Sequence, residues 1–118
     1  MVVIDLNTKE TAIETLVSPE DLAQLCKSLA MEINVQGRLD INVLEIVGFS
    51  IAKENVKALV LYLRNEICLG NSLLVACKQH SDIFDEYFCA KIYDAERRGG
   101  SDVLAKTFDR LADNLLSS

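Results

Sequence analysis

The chain has 118 residues, which is a usual length for one domain and leaves no room for a second core. Half of the residues are apolar or aromatic, and this composition excludes an intrinsically disordered chain. The formal charge of −6 disfavours binding to nucleic acid or to an anionic membrane surface, unless the twelve Lys and Arg converge on one face.

The first residues and the cysteines indicate the compartment. Asp5 interrupts the short apolar run at the start, and no basic residues precede that run, so it does not follow the pattern of a signal peptide. The four cysteines all lie in apolar, helix-like stretches. We therefore expect buried free thiols rather than two disulfides, and a cytoplasmic location.

The first part of the chain predicts one clear helix. We expect an extended segment at 2–6, a short helix at 8–17 and a long helix over 18–36. The long helix has a good N-cap, a proline at its first position and a glycine stop, which are Ser18, Pro19 and Gly37.

The middle of the chain contains an ambiguous segment and a clear helix. Residues 39–51 are rich in Ile and Val and fit either a strand or a short buried helix. We favour the helix because the apolar residues recur with a helical period. Residues 52–69 predict a helix that is apolar on more than one side, which is typical of a helix central to a bundle or covered by another subunit.

The last part of the chain predicts three more helices. We expect a short one at 71–79 and a longer one at 81–98, which begins at Ser81 and Asp82 and ends at a basic pair that complements the helix dipole. The last helix is capped by Ser101 and carries an apolar row of Leu104, Phe108, Leu111 and Leu115. The whole chain, 1–118, is thus predicted to be a single all-α domain, compact and orthogonal or bundle-like, with five to seven helices and short turns.

No group of residues indicates a catalytic or metal site. His80 is the only histidine, and its helical neighbour Cys77 lies in an apolar stretch, so we expect an inert thiol. A zinc site would have to combine Cys68, Cys77, His80 and Cys89, which lack the closely spaced cysteine pair that structural zinc prefers. We predict no catalytic residues, no metal and no cofactor, and a protein that is not an enzyme.

Two features invite a nucleic-acid or phosphate interpretation. The stretch Val47-Gly48-Phe49-Ser50 resembles the Gly-x-Ser turn of a helix-turn-helix motif. However, Glu54 stands where that motif needs an apolar residue, and 56–63 is too apolar to face DNA. Gly99 and Gly100 precede a helix whose start could hold an anion, but Asp102 brings negative charge there. We therefore expect that nucleic acid is not the partner.

The leading functional hypothesis is a protein that acts by binding another protein. Small acidic helical proteins of this kind include immunity proteins, antitoxins and inhibitors, and such a protein would set carboxylates against a basic partner. The candidate partner-binding residues are Glu10, Glu14, Glu20, Asp82, Asp85 and Glu86.

Two alternatives stay open. The first is a homo-oligomeric regulatory or structural protein, and one form of this hypothesis adds contact with DNA. Its predicted dimer interface is the row Leu104, Phe108, Leu111 and Leu115. The second is a small enzyme or a carrier of an apolar ligand, because many Leu, Ile and Val residues would suit a pocket as well as a packed core.

Overall fold

Six α-helices account for most of residues 17–117, which are the residues that the computed structural model describes. The helices are α1 (Pro19–Gln36), α2 (Ile41–Ser50), α3 (Glu54–Cys68), α4 (Leu73–Lys78), α5 (Glu86–Arg98) and α6 (Ser101–Ser117). No strand occurs in this part of the chain, so the all-α prediction is confirmed. The extended segment predicted at 2–6 lies outside the described residues, and so do residues 8–16 of the helix predicted at 8–17.

Helix α1 begins and ends at the residues that the sequence indicates. The Ser18 hydroxyl accepts a hydrogen bond from the backbone N–H of Asp21 at 3.1 Å, which satisfies one of the free donors of the first turn. At the other end, Gly37 takes a left-handed conformation with φ of 81°, and its N–H donates to the carbonyl of Ile33 at 2.7 Å. Both ends of α1 are therefore fixed by local chemistry.

Residues 41–50 form a helix and not a strand. The Asp40 side chain caps it by accepting a hydrogen bond from the N–H of Val43 at 3.0 Å. Gly48 lies inside α2, and a Cβ atom placed on it would stand 3.4 Å from Cγ1 of Val60 on α3. This distance is an ordinary van der Waals contact, so the packing of α2 on α3 leaves room for a methyl group at this position. Since the chain turns only at 51–53, the resemblance to a Gly-x-Ser turn does not hold.

Helix α5 starts five residues later than predicted. Residues 79–84 form turns in which the carbonyl of His80 accepts hydrogen bonds from the N–H groups of Ile83 and Phe84. Phe84 is buried by this arrangement. The cap of α5 is Asp85, whose carboxylate accepts from the N–H of Phe88 at 2.8 Å. The predicted start at Ser81 was wrong because burial of Phe84 and capping by Asp85 outweigh the capping residues Ser81 and Asp82.

The helices pack in pairs around one apolar core. The most extensive contact joins α1 to α6, which run antiparallel: Lys27 pairs with Asp109 and Asp113, and Glu20 lies beside Leu116. Helix α3 packs on α2 and α4 and buries Leu59, Val60 and Leu63. Helix α5 packs on α6 and α4. Within residues 17–117 no helix is both long enough and apolar enough to cross a membrane.

Candidate functional site

A groove of about 370 Å³ runs between α5 and α6. It will be called the α5–α6 groove. Helix α5 contributes one face to it, with side chains at positions i, i+4, i+7 and i+11, and α6 contributes a face spaced in the same helical manner. Its lining residues are Tyr87, Lys91, Asp94, Arg98, Val103, Lys106, Thr107, Arg110 and Leu111.

The α5–α6 groove is strongly basic in an acidic chain. Among the described residues that line it, four side chains are cationic and only one, Asp94, is a carboxylate. Asp94 pairs with Arg98 at 3.2 Å, one turn away on α5. Among the residues that the structure describes, no carboxylate lies within 4.0 Å of the charged groups of Lys91, Lys106 or Arg110. Within residues 17–117 these three charges thus have no carboxylate partner, and they would attract an anionic ligand.

The floor of the groove is less polar than its rims. Leu111 is buried at the floor, and Val103 and Thr107 are half-buried beside it. The Thr107 hydroxyl donates a hydrogen bond to the carbonyl of Val103 at 2.8 Å. Tyr87 is half-exposed at one end, with the Lys91 ammonium 5.3 Å from the centre of its ring. A ligand with apolar groups and negative charges matches this surface.

The structure distributes the predicted partner-binding carboxylates over two places. Glu20 is exposed on the first turn of α1, whereas Asp82 and Glu86 are exposed at the start of α5. Asp85 lies between them, and one of its oxygens is engaged as the helix cap. Within 17–117 no hydrogen bond or ion pair connects Glu20 with the other three. Glu10 and Glu14 lie outside the described residues.

The predicted oligomer interface is largely inside the chain itself. Phe108 and Leu111 are each only 2% exposed and belong to the core. Leu104 and Leu115 are partly buried and pack against that core. A second folded copy would reach only the outer parts of Leu104 and Leu115. The interface therefore stays a prediction, and most of the apolar surface of the row is already buried in the core of the chain itself.

Cys77, three residues before His80, is a poor nucleophile. Burial raises the pKa of Cys77 well above its ordinary value, and the nearby thiols Cys89 and Cys26 raise it further, so the thiol stays protonated. His80 is buried, with its ring edge-on to Tyr62 at 4.4 Å between centres. In the described part of the chain, no three His, Cys, Asp or Glu side chains come together as metal ligands.

Sequence reasoning missed the α5–α6 groove. The basic pair Arg97 and Arg98 could supply charge for an anion, but this interpretation was set aside because complementation of the helix dipole explains the pair equally well. A usable signal was present, because Lys91 and Arg98 are seven residues apart and Lys106 and Arg110 four apart, so each pair lies on one helical face. What the sequence did not show is that the two faces adjoin.

Comparison with known proteins gives no family for this chain. It matches no protein-family model and no curated protein sequence. The groove and its charges are therefore the basis for a functional proposal.

Proposed function

We propose that this chain is a protein-binding module that acts by contact and not by catalysis, and that the α5–α6 groove is its contact site. An immunity-, antitoxin- or inhibitor-like role is the specific form of this proposal. The observation that carries it is the concentration of Tyr87, Arg98 and Arg110 in one concave site. Tyr and Arg are the residue types that most often supply binding energy at protein interfaces.

The groove is held by rigid elements. On α5, Phe88 and Ile92 are buried in the core, and on α6 Phe108 and Leu111 are buried in the same core. These anchors fix the orientation of both helices, so the backbone positions that carry the outward side chains are preformed. A preformed site loses less conformational entropy on binding, which favours affinity.

The exposed carboxylates are a second contact surface in this proposal. Glu20, Asp82 and Glu86 project into solvent, where they would steer a basic partner toward the chain. A cytoplasmic location is part of the proposal and is supported by the free thiols of all four cysteines, three of them buried. The alternative partner is a second copy of the chain, as in a homo-oligomeric regulatory or structural protein.

A comparison of two tyrosine variants tests the proposal. Tyr87 and Tyr93 lie on α5 and are 50% and 51% exposed, but only Tyr87 lines the groove. Each variant, Tyr87→Ala and Tyr93→Ala, is purified from its own source cells after cross-linking and weighed by native mass spectrometry. We expect a second, different chain with the wild type and with Tyr93→Ala, and much less of it with Tyr87→Ala.

Other outcomes have defined meanings. A bare monomer in all three samples would contradict the proposal, and a symmetric dimer would favour the homo-oligomeric alternative. The partner could also stay bound to Tyr87→Ala and be lost from the double variant Asp82→Asn/Glu86→Gln. That result would show that the contact site is the acidic surface and not the groove.

A further inference from the structure

We infer that the α5–α6 groove binds an acidic segment of another protein, with Asp or Glu carboxylates at its rims and apolar side chains on its floor. This inference rests on the proposal that the groove is a protein-binding site, and it adds the chemistry of the partner. It differs from the expectation of a basic partner, which was based on the net charge of the chain.

The charge of the groove, and not the net charge of the chain, decides whether an anionic or a cationic ligand binds there. The chain carries 18 Asp and Glu against 12 Lys and Arg, yet the described lining of the groove holds four of those cations and one carboxylate. Charges in solvent are screened beyond about 8–10 Å at physiological ionic strength. A ligand seated in the groove therefore responds mainly to the groove and much less to the distant acidic residues.

The spacing of the cations suits a short peptide segment. Lys91 and Arg98 are seven residues apart on α5, about 10 Å along the helix axis. Lys106 and Arg110 are four residues apart on α6, about 6 Å along its axis. A peptide with two or three acidic residues at such intervals would reach cations on both rims at once. Arg98 and Arg110 add the forked guanidinium geometry that fits a carboxylate.

The floor and the surroundings favour a protein segment over nucleic acid. The half-buried Val103 and the ring of Tyr87, which is 50% exposed, offer apolar surface that a peptide side chain would cover and a phosphate backbone would not. A duplex carries about one negative charge per 1.7 Å, so it would extend past the groove. There it would meet the exposed Asp102, which lies on α6 next to the lining residue Val103.

A peptide selection followed by charge reversal tests the inference. Random peptides of about 16 residues are selected against the full chain, and the recovered sequences are compared with the starting library. We expect enrichment of Asp and Glu together with apolar residues. The Kd of a labelled selected peptide is then measured by fluorescence anisotropy for the wild type and for Lys106→Glu/Arg110→Glu.

A second double variant with the same change of net charge provides the control. Lys57→Glu/Lys78→Glu reverses two cations on α3 and α4 that do not line the groove. We expect Lys106→Glu/Arg110→Glu to weaken binding at least about tenfold and the control to change it less than about twofold. Circular dichroism verifies that both variants are folded. If the groove variant unfolds, Lys106→Gln/Arg110→Gln replaces it, with a weakening of about threefold or more expected.

The remaining outcomes overturn the inference. Selected peptides that are neutral or basic would contradict it, as would acidic peptides that bind both double variants equally. A labelled duplex oligonucleotide is measured in the same way. If it binds the wild type more tightly than the peptides do, and Lys106→Glu/Arg110→Glu loses that binding, the ligand of the groove is nucleic acid. Neutral peptides that lose binding in Tyr87→Ala would leave the protein-binding proposal standing and remove only the acidic partner.

Discussion

Asp94 and Arg98 form an ion pair at 3.2 Å inside the α5–α6 groove, one helical turn apart on α5. Asp94 is the one carboxylate among the described residues that line the groove, and the pair holds it against one of the two arginines there. Both side chains are more than half exposed, so the pair contributes little to folding. Its main consequence is electrostatic, because Asp94 reduces the attraction of the groove for an anionic ligand.

Removing the Asp94 charge is expected to strengthen binding of an acidic peptide. In Asp94→Asn the guanidinium of Arg98 loses its partner and the groove gains one net positive charge. An exposed charge interaction is worth about 0.2–1 kcal/mol, which corresponds to a decrease in Kd of up to about fivefold. Fluorescence anisotropy with a selected acidic peptide measures this change. Glu96→Gln, on the same helix but outside the groove, is the control, and an equal gain there would contradict the local explanation.

Two glycines are expected to respond oppositely to substitution by alanine. Gly37 has φ of 81°, which an L side chain rarely adopts, so Gly37→Ala should lower the free energy of unfolding by about 1 kcal/mol. Gly48 lies in α2 with room for a methyl group 3.4 Å from Val60, and alanine has the higher helix propensity. Gly48→Ala should change stability by less than about 1 kcal/mol, in the stabilising direction. Urea unfolding measures both, and the reverse order would contradict the described packing.

Acid should destabilise the fold through Asp21 and Asp40. The hydrogen bond from Lys53 is the main cause that lowers the pKa of Asp21, and the hydrogen bond from the Val43 N–H lowers the pKa of Asp40. A carboxyl with a lowered folded-state pKa contributes stability above its unfolded value of 3.8, and this contribution is lost as the pH falls through the folded-state pKa.

We therefore expect the free energy of unfolding to fall between about pH 5 and pH 2, and to fall less steeply in Asp21→Asn. Urea unfolding at a series of pH values gives the slopes. Glu20→Gln is the matched comparison, because its carboxylate lies next along α1 and takes part in no ion pair within residues 17–117. A slope in Asp21→Asn that equals the wild-type slope would show that Lys53 does not hold this carboxylate.

The four cysteines should differ sharply in reactivity. Burial raises the pKa of Cys26 to about 12 and that of Cys77 well above its ordinary value, and it also raises the pKa of Cys89. Cys68 is exposed. Brief treatment of the native chain with iodoacetamide at neutral pH should add one label per chain, and peptide mapping should find it on Cys68. Rapid labelling of Cys77 would contradict the burial of α4.

Local signals predicted the helices better than the site. Ser18 and Gly37 are strong markers, and both ends of α1 follow from them. The start of α5 was missed because Ser81 and Asp82 are equally good caps by residue type, and only the burial of Phe84 selects Asp85.

The α5–α6 groove depends on tertiary structure. Lys91 and Arg98 are visible as one helical face, and so are Lys106 and Arg110, but their adjacency depends on how the two helices pack after Gly99 and Gly100. Net charge carries no information on this arrangement, because it averages over a surface on which four of the twelve cations line one groove.

The most direct test of the contact site is photo-cross-linking in the source cells. The photoreactive amino acid p-benzoylphenylalanine replaces Tyr87 in one version of the chain and Tyr93 in the other, so the two versions differ only in whether the probe lines the groove. If the groove binds another protein, Tyr87 substitution yields a discrete cross-linked polypeptide and Tyr93 substitution yields far less of it. Equal cross-linking at both positions, or none at position 87, would contradict the account.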